Sequence, residues 1–432
     1  MEVQMAHGQG TQLRDLLATL IHETLDESLA KALGVVERER KVDIVIFVWS
    51  LILGFPTGAK RTLSALRRSF EQASGQRMAS SSFYNRFTPQ MTKLLEKLVE
   101  HVLAVRSGPA NSYQGRMIQG FEKLLALDST VVRLHDMLQT VYPACPDGQS
   151  ALKLHVVMNV LSGSPGRVKL SDGTTHDQGV WTRVGSWVKG CLLLFDLGYC
   201  NFHPFHRIDR QGGFFVSRMK SNANPLIVEN LTTCAGRSID LVGQKLQDVV
   251  GRLRRRVIDV EVELPVKLRR YRGKQRQITR RFRMIGIRND NTGEYHFYVT
   301  NVGQERLSAE DVGHIYALRW QVELLFRRLR SHGRLHQLPT QQEHIVKALI
   351  WASILAVLVS QKLLWAMRLR DRGRHLPALR FQEVFESYAR AILEEMVAHR
   401  RTSKLDLFDL IYHEAVDPNL DRVRSFDILD AA

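Results

Sequence analysis

The sequence predicts a mixed α/β fold with helical regions before and after it. Five short apolar segments rich in Val, Leu and Phe are typical of strands: KLLALDSTVVRL (123–134), KLHVVMNVL (153–161), RVKLSD (167–172), CLLLFDLG (191–198) and GFFVSRMK (213–220). TRVGSWVKG and NFHPFHRIDRQ, on either side of the fourth segment, are long enough for helices. Three strands followed by helix, strand, helix and strand is the order of the ribonuclease H-like fold, although many α/β domains begin similarly.

Residues 1–110 and 371–432 are predicted to be helical. LRDLLATLIHETLDESLAKAL and MTKLLEKLVEHVLAVR have apolar residues at three- and four-residue spacing, and the C-terminal region is amphipathic and basic. The basic stretch KRTLSALRRSFEQASGQRMASSSFYNRF fits two interpretations. It is either a helix-turn-helix-like DNA contact or a solvated helical hairpin.

A basic segment of different pattern separates the two parts of the predicted core, 111–221 and 311–370. VIDVEVELPVKLRR, RQITRRFRMIGIRN and EYHFYVTNV are typical of strands, so residues 222–310 are predicted to be a β-rich insertion. Between Gly251 and Arg283 there are 13 Lys or Arg and three acids, a net charge of 13 − 3 = +10 within a total of +17. We expect a phosphate-binding surface here rather than a merely solvated face.

Composition and run lengths favour a globular cytoplasmic protein without a membrane partner. The chain is 44% hydrophobic and 24% charged, and its N-terminus lacks the apolar segment of a signal peptide. The uncharged runs 44–59 and 348–361 are 16 and 14 residues long, below the roughly 20 needed to span a membrane, and are expected to be buried helices. The four cysteines form no CxxC pair, and Cys200, His203 and His206 lack a fourth metal ligand.

Two acids lie in apolar strands, where a charge is expensive to bury without a partner. Asp128 lies in LALDST and Asp196 lies in LLLFDLGY. Each alone could be a turn or cap acid. Together, at one edge of a sheet, they would repel each other and would require a divalent cation between them.

A third acid lies in a predicted helix that follows residue 310. At about 100° per residue, Tyr316, Arg319, Glu323 and Arg330 fall within a ~60° arc, while Leu and Val residues form a separate face. A surface Arg–Glu pair, worth a few tenths of a kcal/mol, would account for Arg319 and Glu323. It would not account for the other two residues on this stripe.

These residues resemble the motifs of bacterial insertion-sequence transposases of the DDE type. The branch that they resemble has its third acid in a Tyr-x2-Arg-x3-Glu-x6-Lys signature, which here reads YALRWQVELLFRRLR, with Arg330 in place of Lys. LALDST and FDLGY match the segments of the first two acids, and GGFFVSRMKSN, SDGTTHD and YVTNV are similar to further family segments. The resemblance covers roughly residues 120–360.

The resemblance implies a DNA transposase that moves an insertion sequence by cut-and-paste cleavage and strand transfer, in related enzymes through a hairpin intermediate. The implied catalytic residues and ligands of two Mg²⁺ or Mn²⁺ ions are Asp128, Asp196 and Glu323. The implied DNA phosphate ligands are Tyr316, Arg319 and Arg330. The implied partners are double-stranded DNA of the element ends and target, and a second copy of the chain in the synaptic complex. The implied location is the bacterial cytoplasm, at the nucleoid.

Two other functions fit the same motifs. One is a metal-dependent nuclease of the same fold that cuts without joining. The other is an inactive, transposase-derived DNA-binding protein; all three acids are present, but Arg330 leaves this alternative open. The candidates for stacking on a flipped base are Trp320, Tyr295 and Tyr298, although a core position is favoured for each. His176 lies near the presumed active edge without an assigned role.

Overall fold

The computed structural model describes most of the chain. The described residues are 13–21, 27–35, 43–57, 62–104, 118–144, 149–161, 164–181, 184–220, 222–232, 240–268, 274, 276–331, 335, 338, 340–371, 374, 376–398 and 406–418. Within them the helices are α1 (Leu13–Ile21), α2 (Glu27–Ala32), α3 (Ile44–Thr57), α4 (Leu63–Ser74), α5 (Ser80–Tyr84), α6 (Pro89–Ala104), α7 (Asp177–Val180), α8 (Phe202–Arg210), α9 (Leu246–Val250), α10 (Ala309–Ala317), α11 (Trp320–Ser331), α12 (Glu343–Arg370), α13 (Ala378–Ala398) and α14 (Leu407–Ala415).

The strands form one mixed sheet in the order β3-β2-β1-β4-β5-β9-β8-β7-β6. They are β1 (Leu124–Arg133), β2 (Ala151–Asn159), β3 (Ser164–Asp172), β4 (Leu192–Phe195), β5 (Phe214–Arg218), β6 (Leu226–Asn230), β7 (Val257–Lys267), β8 (Gln277–Arg288) and β9 (Tyr295–Thr300). β1 is antiparallel to β2 and parallel to β4, and β4 is parallel to β5. The five strands predicted for the α/β region are therefore confirmed.

One predicted helix of this region is wrong and another is right. Of TRVGSWVKG, only Ser186–Val188 is helical among the described residues, as a single 3-10 turn. Glycines at both ends of this turn, Gly185 and Gly190, limit it, and Gly190 has φ +69°. The segment NFHPFHRIDRQ does form a helix, α8, and Asn201 caps its first turn by accepting a hydrogen bond from the backbone N–H of His203.

The β-rich segment predicted after residue 222 extends the same sheet. β9 runs antiparallel beside β5, pairing Ser217 with Val299, and β8 and β7 follow in turn as antiparallel neighbours. The basic strands are thus continuous, through backbone hydrogen bonds, with the strands that carry Asp128 and Asp196. A continuous ladder fixes their spacing, at about 4.8 Å from one strand to the next.

The side-chain alternation of β1 and β4 directs both acids to the same face of the sheet. Leu124, Ala126, Leu192 and Leu194 pack in the larger of the two hydrophobic cores, together with α10, α11 and α12. The residues between them pack in the second core, under α8. Because side chains alternate along a strand, Asp128 and Asp196 emerge on the side of α11.

Helices from the two ends of the chain share the larger core. α12 packs against α3 and α6, and α13 packs against α3 and α14. The side chains of Phe47, Phe70, Phe83 and Phe87 form an aromatic cluster at α3 to α5, with ring centroids 5.4–6.4 Å apart. This packing holds α4 and α5 in place. It leaves open whether that segment contacts DNA or is a solvated hairpin.

The length argument against a membrane span does not hold for α12. The helix runs for 28 residues, beyond the uncharged run of 14, because it continues through Lys347 and Lys362. By length and composition it could cross a membrane, but 94% of its most apolar 18-residue window is buried inside the protein. Its predicted place as a buried core helix is confirmed.

One arginine of the predicted phosphate-binding segment is instead part of the core. Arg283, on β8, is 4% exposed and forms two hydrogen bonds of 2.9 and 2.7 Å with the carboxylate of Asp259 on β7. It also donates to the carbonyl oxygens of Val302 and Leu307. The neighbouring strand pair Arg281–Glu263 is exposed. The prediction that the +10 charge forms a phosphate-binding surface is therefore wrong for Arg283, whose bidentate geometry stabilises the sheet.

We predict that Arg283→Met lowers the free energy of unfolding by about 3–5 kcal/mol, because it leaves Asp259 buried without a counter-charge. The matched control is Arg281→Met, which removes an exposed pair on the same strand and should cost no more than about 1 kcal/mol. Urea unfolding followed by circular dichroism measures both. Equal midpoints for the two variants would contradict the structural role of the buried pair.

Candidate active site

Asp128 is held at the middle of β1. The backbone N–H of Ser129 donates to its Oδ1 at 2.8 Å, and its side chain is 20% exposed. Burial raises the pKa of Asp128 to about 6, against the lowering effect of the Ser129 hydrogen bond and of Arg319. The site therefore holds a carboxylate whose negative charge is poorly solvated and favours a nearby cation.

Asp196 follows β4 directly and begins a short 3-10 turn, Leu197–Tyr199. Its side chain is 42% exposed, so it is more open to solvent than Asp128. The hydroxyl of Tyr316 donates to Asp196 Oδ1 at 3.3 Å. Burial, and next the charge of Asp196, raise the pKa of Tyr316, which keeps the phenol protonated as a donor.

The predicted single helix around Glu323 is two helices. α10 begins at a capping box in which Ser308 and Asp311 satisfy each other's backbone N–H groups, and it ends at Ala317. Hydrogen bonds that span only three residues join it to α11, from Arg319 N to the carbonyl of Tyr316 and from Val322 N to that of Arg319. Such bonds tighten the turn, so the even 100° spacing assumed for these residues does not hold across this junction.

A single guanidinium, that of Arg319, contacts all three acids. Its Nη1 lies 3.2 Å from Asp128 Oδ2, and its Nη2 lies 2.5 Å from Glu323 Oε1. Its Nε lies 3.9 Å from Asp196 Oδ1. Three carboxylates therefore converge on one guanidinium. They come from β1, the end of β4 and the first turn of α11. The side chain of Arg319 is 14% exposed, which strengthens these ion pairs by excluding solvent.

The other residues predicted for the site differ in their exposure to solvent. Arg330 is exposed near the end of α11. Trp320 is 49% exposed, with Arg327 over its ring at 6.0 Å, so the core position favoured for it is wrong. Tyr298 is partly buried against the ring of Tyr316, with centroids 5.0 Å apart. Tyr295 is also partly buried, stacks on Phe297 and donates to the carbonyl oxygen of Arg255.

Arg218 and His296, which the sequence interpretation missed, lie on the same face of the sheet as the acids. Arg218 ends β5, and its Nη2 is 2.9 Å from Nδ1 of His296 on β9. Arg218 pairs in register with Tyr298, which packs on Tyr316. The signal was the position of Arg218 in the next parallel strand after Asp196. Ends of neighbouring parallel strands meet at one edge, so this position should have been counted with the acids.

A second polar group lies on the opposite face of β1. Asp177, at the start of α7, accepts a hydrogen bond of 2.8 Å from the hydroxyl of Ser129. It also forms an ion pair with Lys153, at 3.3 Å. His155, fully buried, has its pKa lowered to about 4 by burial and is therefore neutral at pH 7. His176 precedes α7 and makes no side-chain cap. This group anchors the strand residue next to Asp128 without touching its carboxylate.

The three acids suit a hard cation by their chemistry. Within the described ranges, no three His, Cys, Asp or Glu side chains are arranged to hold a metal ion as they stand. At the acids, the guanidinium of Arg319 lies between the three carboxylates. Carboxylate oxygens are the ligands that Mg²⁺ and Mn²⁺ prefer, and Asp128 has a charge that burial disfavours. The residues thus fit a divalent metal if Arg319 turns away.

Comparison with known proteins identifies the family. Residues 119–359 match the family described as "Transposase DDE domain". The chain belongs to this family. The transposase of insertion sequence element IS231B from Bacillus thuringiensis subsp. berliner is 21% identical over 79% of this chain and 77% of that one. The transposase of IS1151 from Clostridium perfringens is 19% identical over 71% and 70%. A solved piggyBac transposase synaptic complex with hairpin DNA has a TM-score of 0.46, at 9% identity, over 96% of this chain and 87% of that chain.

The protein is a DNA transposase of the DDE type. DDE transposases are metal-dependent enzymes that cleave DNA. The matched range includes every residue of the cluster around Arg319. It also includes β1 to β9 and α12 as far as residue 359.

We predict that Asp128→Asn stabilises the transposase in metal-free buffer. The pKa of Asp128 is raised from 3.8 to about 6, so its ionisation costs folding free energy in full above pH 6, and this cost shrinks as the pH falls towards 3.8, below which both states become protonated. The variant should gain about 1–3 kcal/mol at pH 7.5 in EDTA, and the gain should disappear towards pH 4.

Urea midpoints across this pH range measure the effect. Asp136→Asn, an exposed acid beyond the end of β1, is the matched control and should change stability by less than about 0.5 kcal/mol. A gain that is the same at pH 4 and pH 7.5 would show that the charge of Asp128 is not its cause.

Proposed function

We propose that this transposase moves its element by cut-and-paste, cleaving the ends and joining them to target DNA at a single active site. The observation that supports this proposal best is the convergence of Asp128, Asp196 and Glu323 on one guanidinium. These acids would hold two Mg²⁺ or Mn²⁺ ions. We also assign the chain to the branch with the Tyr-x2-Arg-x3-Glu-x6-Lys signature, with Arg330 at the last position.

The strand order supports a ribonuclease H-like core. Its first five strands lie in the order β3-β2-β1-β4-β5, with β1 parallel to β4 and β4 to β5. Asp128 lies on β1, and Asp196 directly follows β4. Glu323, the third acid, lies on α11, which packs on β1. We propose that residues 111–221 and 311–370 form this core, that 222–310 is its insertion, and that 1–110 and 371–432 are flanking helical regions.

The residues of the site have separable roles in this proposal. The Ser129 N–H fixes one oxygen of Asp128, and the Tyr316 hydroxyl orients Asp196. Divalent metal at the acids would activate the attacking oxygen and stabilise the leaving oxygen of an in-line displacement. The guanidinium of Arg319, once released from the acids, would bind a phosphate of the DNA end.

The DNA would continue from the acids over the exposed basic side chains. Arg330 lies on α11 and Arg218 at the end of β5, so both flank the acids. Exposed Trp320 is available to stack on an unpaired base, which would help to close a hairpin end. Two ends must be held together for synapsis, so we propose a dimer as the active form, at the nucleoid.

A nuclease that cuts without joining is the second candidate. It shares the fold and the three acids. An inactive DNA-binding protein is the third candidate, and Arg330 in place of Lys is the difference that would suit it. Strand-transfer products on a target plasmid separate the first two functions, and cleavage of any kind excludes the third.

We predict that Asp128→Asn and Glu323→Gln each reduce cleavage of element-end DNA at least 100-fold in Mg²⁺, while binding of the same DNA changes less than about threefold. The reason is that the lost oxygens would hold metal rather than DNA. Gel analysis of cleaved and joined products, beside mobility shifts in EDTA, measures both. Asp136→Asn should cleave like the parent. A cleavage rate equal to that of the parent in either acid variant would contradict the proposed metal site.

We predict that replacing Lys274, Arg276 and Arg280 by Gln weakens DNA binding and flattens its salt dependence. All three are exposed at the β7–β8 end of the sheet. Each lost phosphate contact should reduce the slope of log K against log salt by about 0.9. Fluorescence anisotropy between about 50 and 200 mM NaCl measures the slope.

The matched control carries the same charge change on the helices. Lys93, Lys97 and Arg390 are exposed on α6 and α13, and their replacement by Gln should leave the slope within error of the parent. Equal flattening by both triple variants would show a general charge effect rather than a DNA surface on β7 and β8.

A further inference from the structure

Two arginines lie together behind α11, apart from the acids. Arg328, on α11, is 3% exposed, and Arg368 lies on α12, the helix that packs against α11. Arg328 follows Glu323 by five residues, which turns it about 140° away around the helix. The pair therefore belongs to the contact between α11 and α12.

The charge of Arg328 has no acid beside it in the part of the chain that the structure describes. Its Nη1 is buried and has no hydrogen-bond partner. Its Nε reaches only the carbonyl oxygen of Leu324, at 3.5 Å. Burial and then repulsion by Arg368 lower the pKa of Arg328 to about 10, so it is still charged at pH 7.

The second arginine does not offset this charge. The Nη2 of Arg368 donates to the carbonyl oxygen of Leu376 at 2.6 Å, which satisfies one N–H and contributes no negative charge. Burial lowers the pKa of Arg368 as well. Two guanidinium groups of like charge are therefore partly desolvated together, an arrangement that is costly unless an anion lies between them.

We propose that Arg328 and Arg368 form a binding site for one small tetrahedral dianion, phosphate or sulfate, between α11 and α12. The two positive charges match a dianion, and the planar guanidinium forks suit paired oxygens. Because Arg328 is 3% exposed, the backbone of a DNA strand cannot reach its guanidinium. The bound ion would fix α11, and with it Glu323, against the long core helix α12.

The test uses the full chain in HEPES buffer that contains NaCl but no phosphate or sulfate. Sodium phosphate, sodium sulfate or further NaCl is added to equal ionic strength, and thermal unfolding is followed by circular dichroism. Either dianion, at about 100 times its Kd, should raise the melting temperature of the parent by about 3–5 °C, and NaCl should not. A larger shift with one dianion identifies which ion the site prefers. Titration calorimetry should give one ion per chain.

Arg328→Met should abolish this shift, and Arg327→Met, the exposed neighbour on the same helix, should keep it. Arg328→Lys keeps the charge but loses the fork, and should weaken dianion binding at least tenfold even if the Met variant does not fold. Dianion affinity in Arg328→Lys equal to that of the parent would overturn the proposal. So would a parent that responds to phosphate and sulfate no more than to NaCl; that result together with a destabilised Arg328→Met would point to a carboxylate of the protein as the partner.

Discussion

Repulsion among three carboxylates is the constraint on which the site depends. Parallel β1 and β4 place Asp128 and Asp196 on neighbouring strands, and α11 adds Glu323 above them. All three acids lie within 3.9 Å of the guanidinium of Arg319. Three negative charges so close together require a positive charge between them, and Arg319 supplies it. Short-range hydrogen bonds join α10 to α11 at this point, and Arg319 lies at the junction, four residues before Glu323.

In the proposed function, Arg319 and a divalent metal would compete for one set of oxygens. A guanidinium neutralises the acids through directional N–H bonds, whereas a metal ion needs several of the same oxygens at about 2 Å. Metal at the acids would thus require Arg319 to leave, and a phosphate of bound DNA would accept its guanidinium. This coupling would link metal binding to the presence of DNA, since neither partner alone compensates both the acids and the arginine.

Much of this arrangement follows from local sequence, and the rest from tertiary contacts. The strands of the α/β region were predictable because each is a short apolar run between turn residues, and the two acids interrupt those runs. The helix break at Leu318 carries no Gly or Pro, so periodicity alone could not show it. Arg283 could not be separated from its exposed basic neighbours, because only the register of β7 and β8 brings it to Asp259. The core position predicted for Trp320 was wrong because the size of its side chain favours burial, whereas α11 directs that side chain towards solvent.

The continuous sheet also links the basic strands to the strand that ends at Asp196. From β4 the ladder passes through β5 and β9 to β8, three steps of about 4.8 Å, or roughly 14 Å across the sheet. Exposed Arg280 lies five residues along β8 from Ile285, the residue level with Arg218, which adds about 17 Å along the strand. The buried Arg283–Asp259 pair ties β8 to β7 and to the segment before α10, so these strands cannot move independently of the acids. Under the proposed function, the exposed arginines at the β7–β8 end and the three carboxylates would keep a constant separation, because both belong to one hydrogen-bonded sheet.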